Sequence, residues 1–452
     1  MKKLSLLLAL FMMVSMIAGC ASKKVTTPEV KEDQTTSEAS ETTTEATTEA
    51  SKETIEVTLL SRWSDDQPRS VLFKQRIDEF NAQNNGIKIV AEHINDEAAY
   101  LDKLRTSFAT GDQPNIFFGY GGSREYEYAK NGVVMNLDPV FEANPEWYAS
   151  FKPSFDKWQY KDIEGTFGAP VESYAITLYY NKKIFNELGL TPPSTITDFE
   201  KVSDTLLEKG LIPMALGAKD VWRVGHVFNN FFMKSYGSQG VAQLADRSMA
   251  YDSKEVIDIL TRIQTYNTKG YFGENAVSVD YNNEKTMFFE GKTAMHMDGS
   301  WFLGEAAASA IAEDIGVISF PYINEAFKDS WFGSGAGFSV TTNSDKAVEE
   351  ASVVVLKYLT DKQFFLDDLA GSKGGIYPVE FTEADIKDIE ISSVSKAFID
   401  ALSSAKEFRD DIQTYDSLPS MLDTCRIAFQ GLFAGMSPEE CAKEIVTEIS
   451  SR

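Results

Sequence analysis

The sequence predicts an α/β protein with two domains, and three observations carry this. Residues 55–118 run through strand and helix patterns in the order β-α-β-α-β. A Gly/Pro break at Gly168 and Pro170 precedes a second set of strands and helices. The chain has 452 residues, more than one simple core holds and enough for two domains of ordinary size.

The elements follow in order. Residues 1–19 hold Lys2 and Lys3, then an apolar run from Leu4 to Ile17 that is too short for a stable span. Ile17-Ala18-Gly19-Cys20 ends it. Small residues before a cysteine read as a lipobox, with the chain cut before Cys20 and Cys20 acylated. Residues 20–53 are Thr-, Ser- and Glu-rich with almost no apolar content, so they read as a solvated, disordered tether. Ile55, Val57 and Leu59 alternate in a first strand, and Phe73, Ile77 and Phe80 give the helix at 69–84 its apolar stripe. A strand at 87–94, a helix at 98–110 ended by Gly111, and a strand at 115–118 complete a parallel sheet. Ligands of such sheets meet the loops at the carboxyl ends of the strands. Those loops are Arg62 to Asp66 and Gly119 to Glu125.

Residues 174–180 alternate bulky and small side chains and read as a buried strand. Asn181 opens a short helix and Gly189 closes it. The next helix is expected to be capped by Thr197 with Glu200 three residues on. A short strand at 211–216, a loop at 218–224 holding Trp222, and helices at 227–236 and 254–269 follow. The last helix is capped by Ser437.

Composition narrows the function. An excess of acids gives a net charge of −25. Nucleic-acid binding and polybasic attachment to a membrane surface both need the opposite sign. The histidines, His93, His226 and His296, have no metal-like spacing, and no P-loop, G-x-S-x-G or H-E-x-x-H is present. No cofactor is expected. Besides Cys20 the cysteines are Cys425 and Cys441. In a helical hairpin Cys425 sits about nine residues from the turn, or ~14 Å along the axis, against the ~7 Å a disulfide allows. Two buried thiols are therefore expected.

Three stretches resemble one family. They are "P-V-E-S-Y-A-I-T-L-Y-Y-N-K…F…L-G-L…P-P-S-T…F", "Y-L-D-K-L…F-A-T-G-D-Q-P-N-I…A-K-N-G-V-V-M-N-L" and "M-F-F-E-G-K-T-A-M-H-M-D-G-S-W-F". They resemble the extracellular solute-binding proteins of family 1, the maltose-binding-type receptors of carbohydrate ABC transporters. The resemblance implies a two-lobed, type II periplasmic-binding-protein-like fold, each lobe a mainly parallel sheet flanked by helices, joined by a hinge of several crossings. It also implies a strand from Thr293 to Met297 running into the cleft and a strand at 315–321 that crosses back to the first lobe, which Gly333 to Val340 continues. The implied division is 54–171 and 316–376 for the first lobe, and 172–315 and 377–452 for the second. It implies a receptor that binds a sugar or oligosaccharide between its lobes and is not an enzyme. The implied location is the outer face of the cell membrane, held by Cys20, with permease subunits as partners and a monomer as the working unit. An anchored glycosidase, a surface adhesin and a receptor for a non-sugar solute are the alternatives.

A sugar needs aromatic plates for its ring faces and polar groups for its hydroxyl rim. The expected ligand residues are aromatic and charged side chains on loops. They are Trp63 and Asp65 after the first strand, Tyr120 and Arg124 after the third, Tyr174 on the crossing strand, and Trp222. Asp298 and Trp301 flank Gly299, and Tyr377 sits at a last crossing. Trp301 carries the sharpest expectation, because the family places a tryptophan after this glycine against the sugar. Trp147, Trp158 and Trp331 are expected to pack.

Overall fold

The computed structural model describes residues 54–151 and 155–451. Cys20, the signal sequence and the tether lie outside the described residues. Alternation of apolar side chains sets β1 (Ile55–Ser61) and β2 (Ile87–His93), and a short apolar run buried throughout sets β3 (Ile116–Gly119), with β1 pairing parallel to both neighbours. The intervening helices Pro68–Ala82 and Glu97–Thr110 turn Phe73, Phe80, Tyr100 and Leu104 onto this sheet.

Two long strands join this lobe to the next. β4 (Ala169–Asn181) pairs antiparallel along residues 169–175 with residues 333–338 of β8 (Ser330–Val340), and the far end of β8 adds to β3. Beyond residue 175, β4 changes partners. It pairs antiparallel with β6 (Thr293–Gly299) and β7 (Ile315–Ile318), and β5 (Ile212–Met214) runs parallel to β6. The sheet is thus parallel through β1, β2 and β3 and mixed in the second lobe. A short β9 (Glu407–Arg409) lies parallel to the start of β8.

The cores follow this division. Val57 to Val171 and Ala336 to Val379 supply one core. Ile176 and Leu178 point from β4 into a second, shared with Phe228, Phe231, Met295, Met297, Phe429 and Ile445. The alternate residues Ala175 and Tyr179 face a smaller cluster with Phe288, Phe302, Trp331 and Phe398. This is the two-residue period of a strand covered on both faces.

Several expectations shift. The return to the first lobe is carried by β8 and not by residues 315–321, because Phe320 and Phe332 still pack in the second core and Ala336 is the first β8 residue in the other. Tyr377 and Val379 belong to the first core, so the chain does not leave that lobe at 377. It does so later, between Ile391, packed on the first core, and Val394, buried in the smallest cluster. The helix expected to start at Thr197 is capped two residues earlier. Thr195 accepts the Asp198 N–H, since T-I-T-D-F-E offers a cap in either frame. Trp222 lies in the first turn of the helix Val221–Ala245, not in a loop. Cys425 and Cys441 are buried free thiols. Among the described residues no helix is long and apolar enough to cross a membrane.

Candidate functional site

The loops after β1 and β3 deliver Arg62, Tyr120 and Arg124 to the seam between the lobes. Arg62 donates to the Tyr120 hydroxyl and to the Asn95 carbonyl. Arg124 lies over the Tyr120 ring, 5.0 Å from its centroid, and reaches Glu97 at 3.2 Å. Glu97, the first residue of its helix, also lies 3.6 Å from Arg426 of the second lobe. Burial alone would raise the Glu97 carboxyl, but Arg426, Arg124 and Arg62 outweigh it and hold it at about 2.

More contacts cross the seam. Ser123 donates to the Gln413 carbonyl at 3.2 Å, and Lys157 pairs with Asp410, which also accepts from the Tyr174 hydroxyl. Arg105 reaches Asp423 at 2.7 Å. Arg426 is anchored to Asp411 at 2.7 Å, and burial with the neighbouring Asp410 raises the Asp411 carboxyl despite that partner.

The second lobe contributes a set of rings, linked to these groups through His226, which lies in the field of Arg426 and Glu97. Trp222 and Trp301 stand 6.2 Å apart with planes 70° to each other, forming a corner. His226 lies 5.0 Å from Trp222 and 6.0 Å from Trp301, and Tyr174 meets Trp301 edge-on at 5.4 Å. His226 connects the two halves of the site. Burial lowers its pKa well below the ordinary value, with Arg223 and Arg426 acting in the same direction and Asp298 and Glu97 opposing. Both indoles are half-buried. The geometry around Trp301 explains the G-S-W triplet. A Cβ on Gly299 would stand 2.4 Å from the indole, so only glycine lets the ring fold back over the strand end.

Beneath the corner lies a buried charged floor. Arg223 forks onto Glu284 and lies 3.4 Å from Asp298. His296 sits between the same two carboxylates, 2.9 Å from Asp298 Oδ2 and 3.1 Å from Glu284 Oε1. Arg223, Glu284, His296 and Asp298 are each fully buried. Desolvation opposes charge on the imidazole, but the two carboxylates win and its pKa is raised. The Arg223 guanidinium and the His296 imidazole thus meet both carboxylates, so the buried charges are paired. Burial would raise Asp298 too, yet Arg223 and His296 hold it at about 2.

The structure brings Tyr120 together with Arg124, and Trp301 together with Tyr174 and Trp222. The other expected residues lie outside these two groups. Asp298 is fully buried, and its oxygens are taken by Arg223, His296, Tyr281 and the Gly299 N–H. Trp63 is 9% exposed and wedged among Phe73, Phe118, Phe338 and Phe364. Tyr377 is 5% exposed, with Arg69 over its ring. Asp65 accepts from Ser70 and the Gln67 N–H, a turn-forming role. Trp158 and Trp331 are core residues, as expected. Sequence reasoning missed Arg62, Glu97, His226, Tyr281 and Arg426. Arg62 lies on a loop that was singled out for its neighbours, and the other four lie on helices, where no local signal separates a site residue from an ordinary polar face.

A family model described as bacterial extracellular solute-binding protein matches residues 65–363. A probable sugar-binding periplasmic protein of Mesorhizobium japonicum is 24% identical over 370 residues, 78% of this chain and 83% of that protein. The multiple sugar-binding protein of Streptococcus mutans is 24% identical over 256 residues, 55% of this chain and only 58% of its own length. Among solved structures, a chitin oligosaccharide binding protein superposes with a TM-score of 0.80 at 21% identity, covering 88% of this chain and 98% of the other. The GacH receptor of Streptomyces glaucescens superposes with a TM-score of 0.69 at 15% identity, covering 88% and 98%. These likenesses give the fold as the two-lobed, type II periplasmic-binding-protein-like one. With two strands crossing between two cores, a polar and aromatic site on the seam, and a family match over most of the chain, this protein belongs to the bacterial extracellular solute-binding proteins of family 1.

Proposed function

We propose that the chain is the receptor of an ABC importer and binds a sugar or oligosaccharide between its lobes. One observation carries the reading. The Trp222–Trp301 corner shares His226 with the seam cluster: that imidazole meets both indoles and lies in the field of Glu97 and Arg426, beside Arg62, Tyr120 and Arg124. Two indoles at 70° offer a plate for a sugar ring and a wall for its edge, and the guanidinium and carboxylate groups suit a hydroxyl rim. Names among the relatives point the same way: multiple sugar-binding, maltotriose-binding and chitin oligosaccharide binding.

The seam also supplies a reason for closure to depend on ligand. Among the described residues, Arg62 Nε, Arg124 Nη2 and Arg426 Nε are buried there with no hydrogen-bond partner. A buried donor left unmet costs ~1–3 kcal/mol. A solute that contacts both lobes adds interactions that only the closed form makes, and that difference in affinity is what shifts the population. The closed form is then the one presented to the permease. The receptor is held at the outer membrane face by lipid on Cys20, and its acyl chains contribute ~0.8 kcal/mol per buried methylene. It performs no chemistry on the solute.

A thermal-shift screen against mono- and oligosaccharides, polyamines and glycerol phosphates tests the reading. At a hundredfold excess over Kd a one-site ligand adds ~2.7 kcal/mol. A shift with a sugar recovered intact is expected. A shift confined to polyamines or glycerol phosphates, or a sugar recovered as hydrolysis products, removes the proposal. For anchoring, Cys20→Ala is expected to release the protein from the membrane with solute binding unchanged, and a variant that stays membrane-bound removes that part.

A further inference from the structure

We propose that Tyr281 is the positioning residue of the ligand site, its hydroxyl clamping the Trp301 indole to Asp298 and so fixing the corner that Trp301 makes with Trp222. The inference rests on the reading that this corner receives the solute. Trp301 Nε1–H donates to the Tyr281 hydroxyl at 3.0 Å, and that hydroxyl donates to Asp298 Oδ2 at 2.8 Å. The direction of the chain is fixed by chemistry. An indole N–H only donates and an ionised carboxylate only accepts, so the hydroxyl between them donates its O–H to Asp298 and accepts from Trp301 on a lone pair.

Each end of the clamp is immobile. Asp298 is held by Arg223, His296 and the Gly299 N–H, with no exposed surface. Tyr281 is held at its backbone, where its N–H donates to Asp220 at 2.8 Å. Its ring lies between two cations, Arg223 at 5.2 Å and Lys285 at 4.6 Å from its centroid. The same ring meets Trp222 edge-on at 4.9 Å, and Arg223 also lies 4.9 Å over the Trp222 ring. One tyrosine therefore touches both indoles, and the charged floor beneath it sets their angle. An indole already held in place loses less freedom when a solute arrives, and that saving appears as affinity.

The test is Tyr281→Phe, which keeps the ring and its contacts and deletes only the hydroxyl. Without any solute, the Trp301 indole N–H resonance, assigned with Trp301→Phe, is expected to exchange with water at least about tenfold faster in the variant. An unchanged exchange rate overturns the clamp, and this measurement needs no ligand. With maltotriose, xylotriose and N,N′,N″-triacetylchitotriose as probes, affinity for whichever of them binds is expected to fall roughly three- to tenfold. In a Trp301→Phe background the same change is expected to have no further effect, a non-additivity that general destabilisation does not produce. Wild-type affinity in Tyr281→Phe beside lost binding in Trp301→Ala overturns the clamp alone. Wild-type affinity in Trp301→Ala overturns the reading of the corner as well.

Discussion

At the scale of single residues, Trp301 is where expectation and geometry meet most closely. Its ring folds over Gly299, touches Tyr174, Trp222 and His226, and remains half-buried. A tryptophan in a closed core costs ~3–5 kcal/mol when cut to alanine. A half-buried ligand plate costs less. Trp301→Ala is expected to lower the melting temperature modestly and to remove solute binding. A large fall in melting temperature with near-normal affinity makes it a packing residue. Glu97 gives a second prediction at this scale. Its folded pKa, about 2, lies below the unfolded value of ~4.3. Between these values the unfolded state binds more protons, so the contribution is present above ~4.3 and lost as pH falls through about 2. Glu97→Gln is expected to lower the melting temperature at pH 7 and to flatten its decline between pH 4.5 and pH 2. An unchanged acid profile counts against the Glu97–Arg124–Arg426 cluster.

At the scale of elements, the β4–β8 pair decides how the lobes are joined. Gly333, Gly335 and Gly337 recur every second residue of β8 and face the β4 backbone. A Cβ at Gly335 would stand 2.3 Å from the Glu172 carbonyl oxygen, and one at Gly333 2.5 Å from that of Tyr174. These glycines are there for close approach of two chains, next to a register shift between Pro170 and Glu172. Gly335→Ala is expected to cost ~1–3 kcal/mol, because the backbone opposite has to move. Chemical unfolding measures it as a lower midpoint at unchanged slope. Ser334→Ala, which adds no volume, is the control. Equal midpoints for the two variants would show that β4 yields freely. β8 was only partly legible in the sequence, since S-W-F-G-S-G-A-G-F-S-V mixes strand formers with residues that weaken strands. The capping signals at Asn181 and Ser437 were legible because a cap is a local arrangement.

At the scale of the whole molecule, the seam is held by a few polar contacts rather than by a shared apolar core. Arg105 and Asp423 are about half exposed, and such pairs contribute ~0–1 kcal/mol. The Lys157–Asp410 pair is buried in the seam and the Glu97–Arg426 pair nearly so, and their groups regain water when the lobes part. Solution scattering is expected to show a smaller radius of gyration once the cognate solute saturates the protein. An unchanged radius counts against hinge closure.

Much of this protein was settled by its sequence alone. The β-α-β-α-β order, the loops that carry Arg62, Tyr120 and Arg124, the tryptophan after Gly299 and the family resemblance all follow from patterns within a few tens of residues. Hydrophobic period, capping and turn chemistry act over that range. Tertiary structure alone decided which tryptophans pack and which form the corner. It buried Asp298 beneath the site instead of in it, moved the second crossing to β8, and brought Arg426 to Glu97 from 329 positions away along the chain. These outcomes depend on which groups meet across the fold. A carboxylate reads the same in sequence whether it faces a solute or an arginine, and only the charges and rings packed around it determine which.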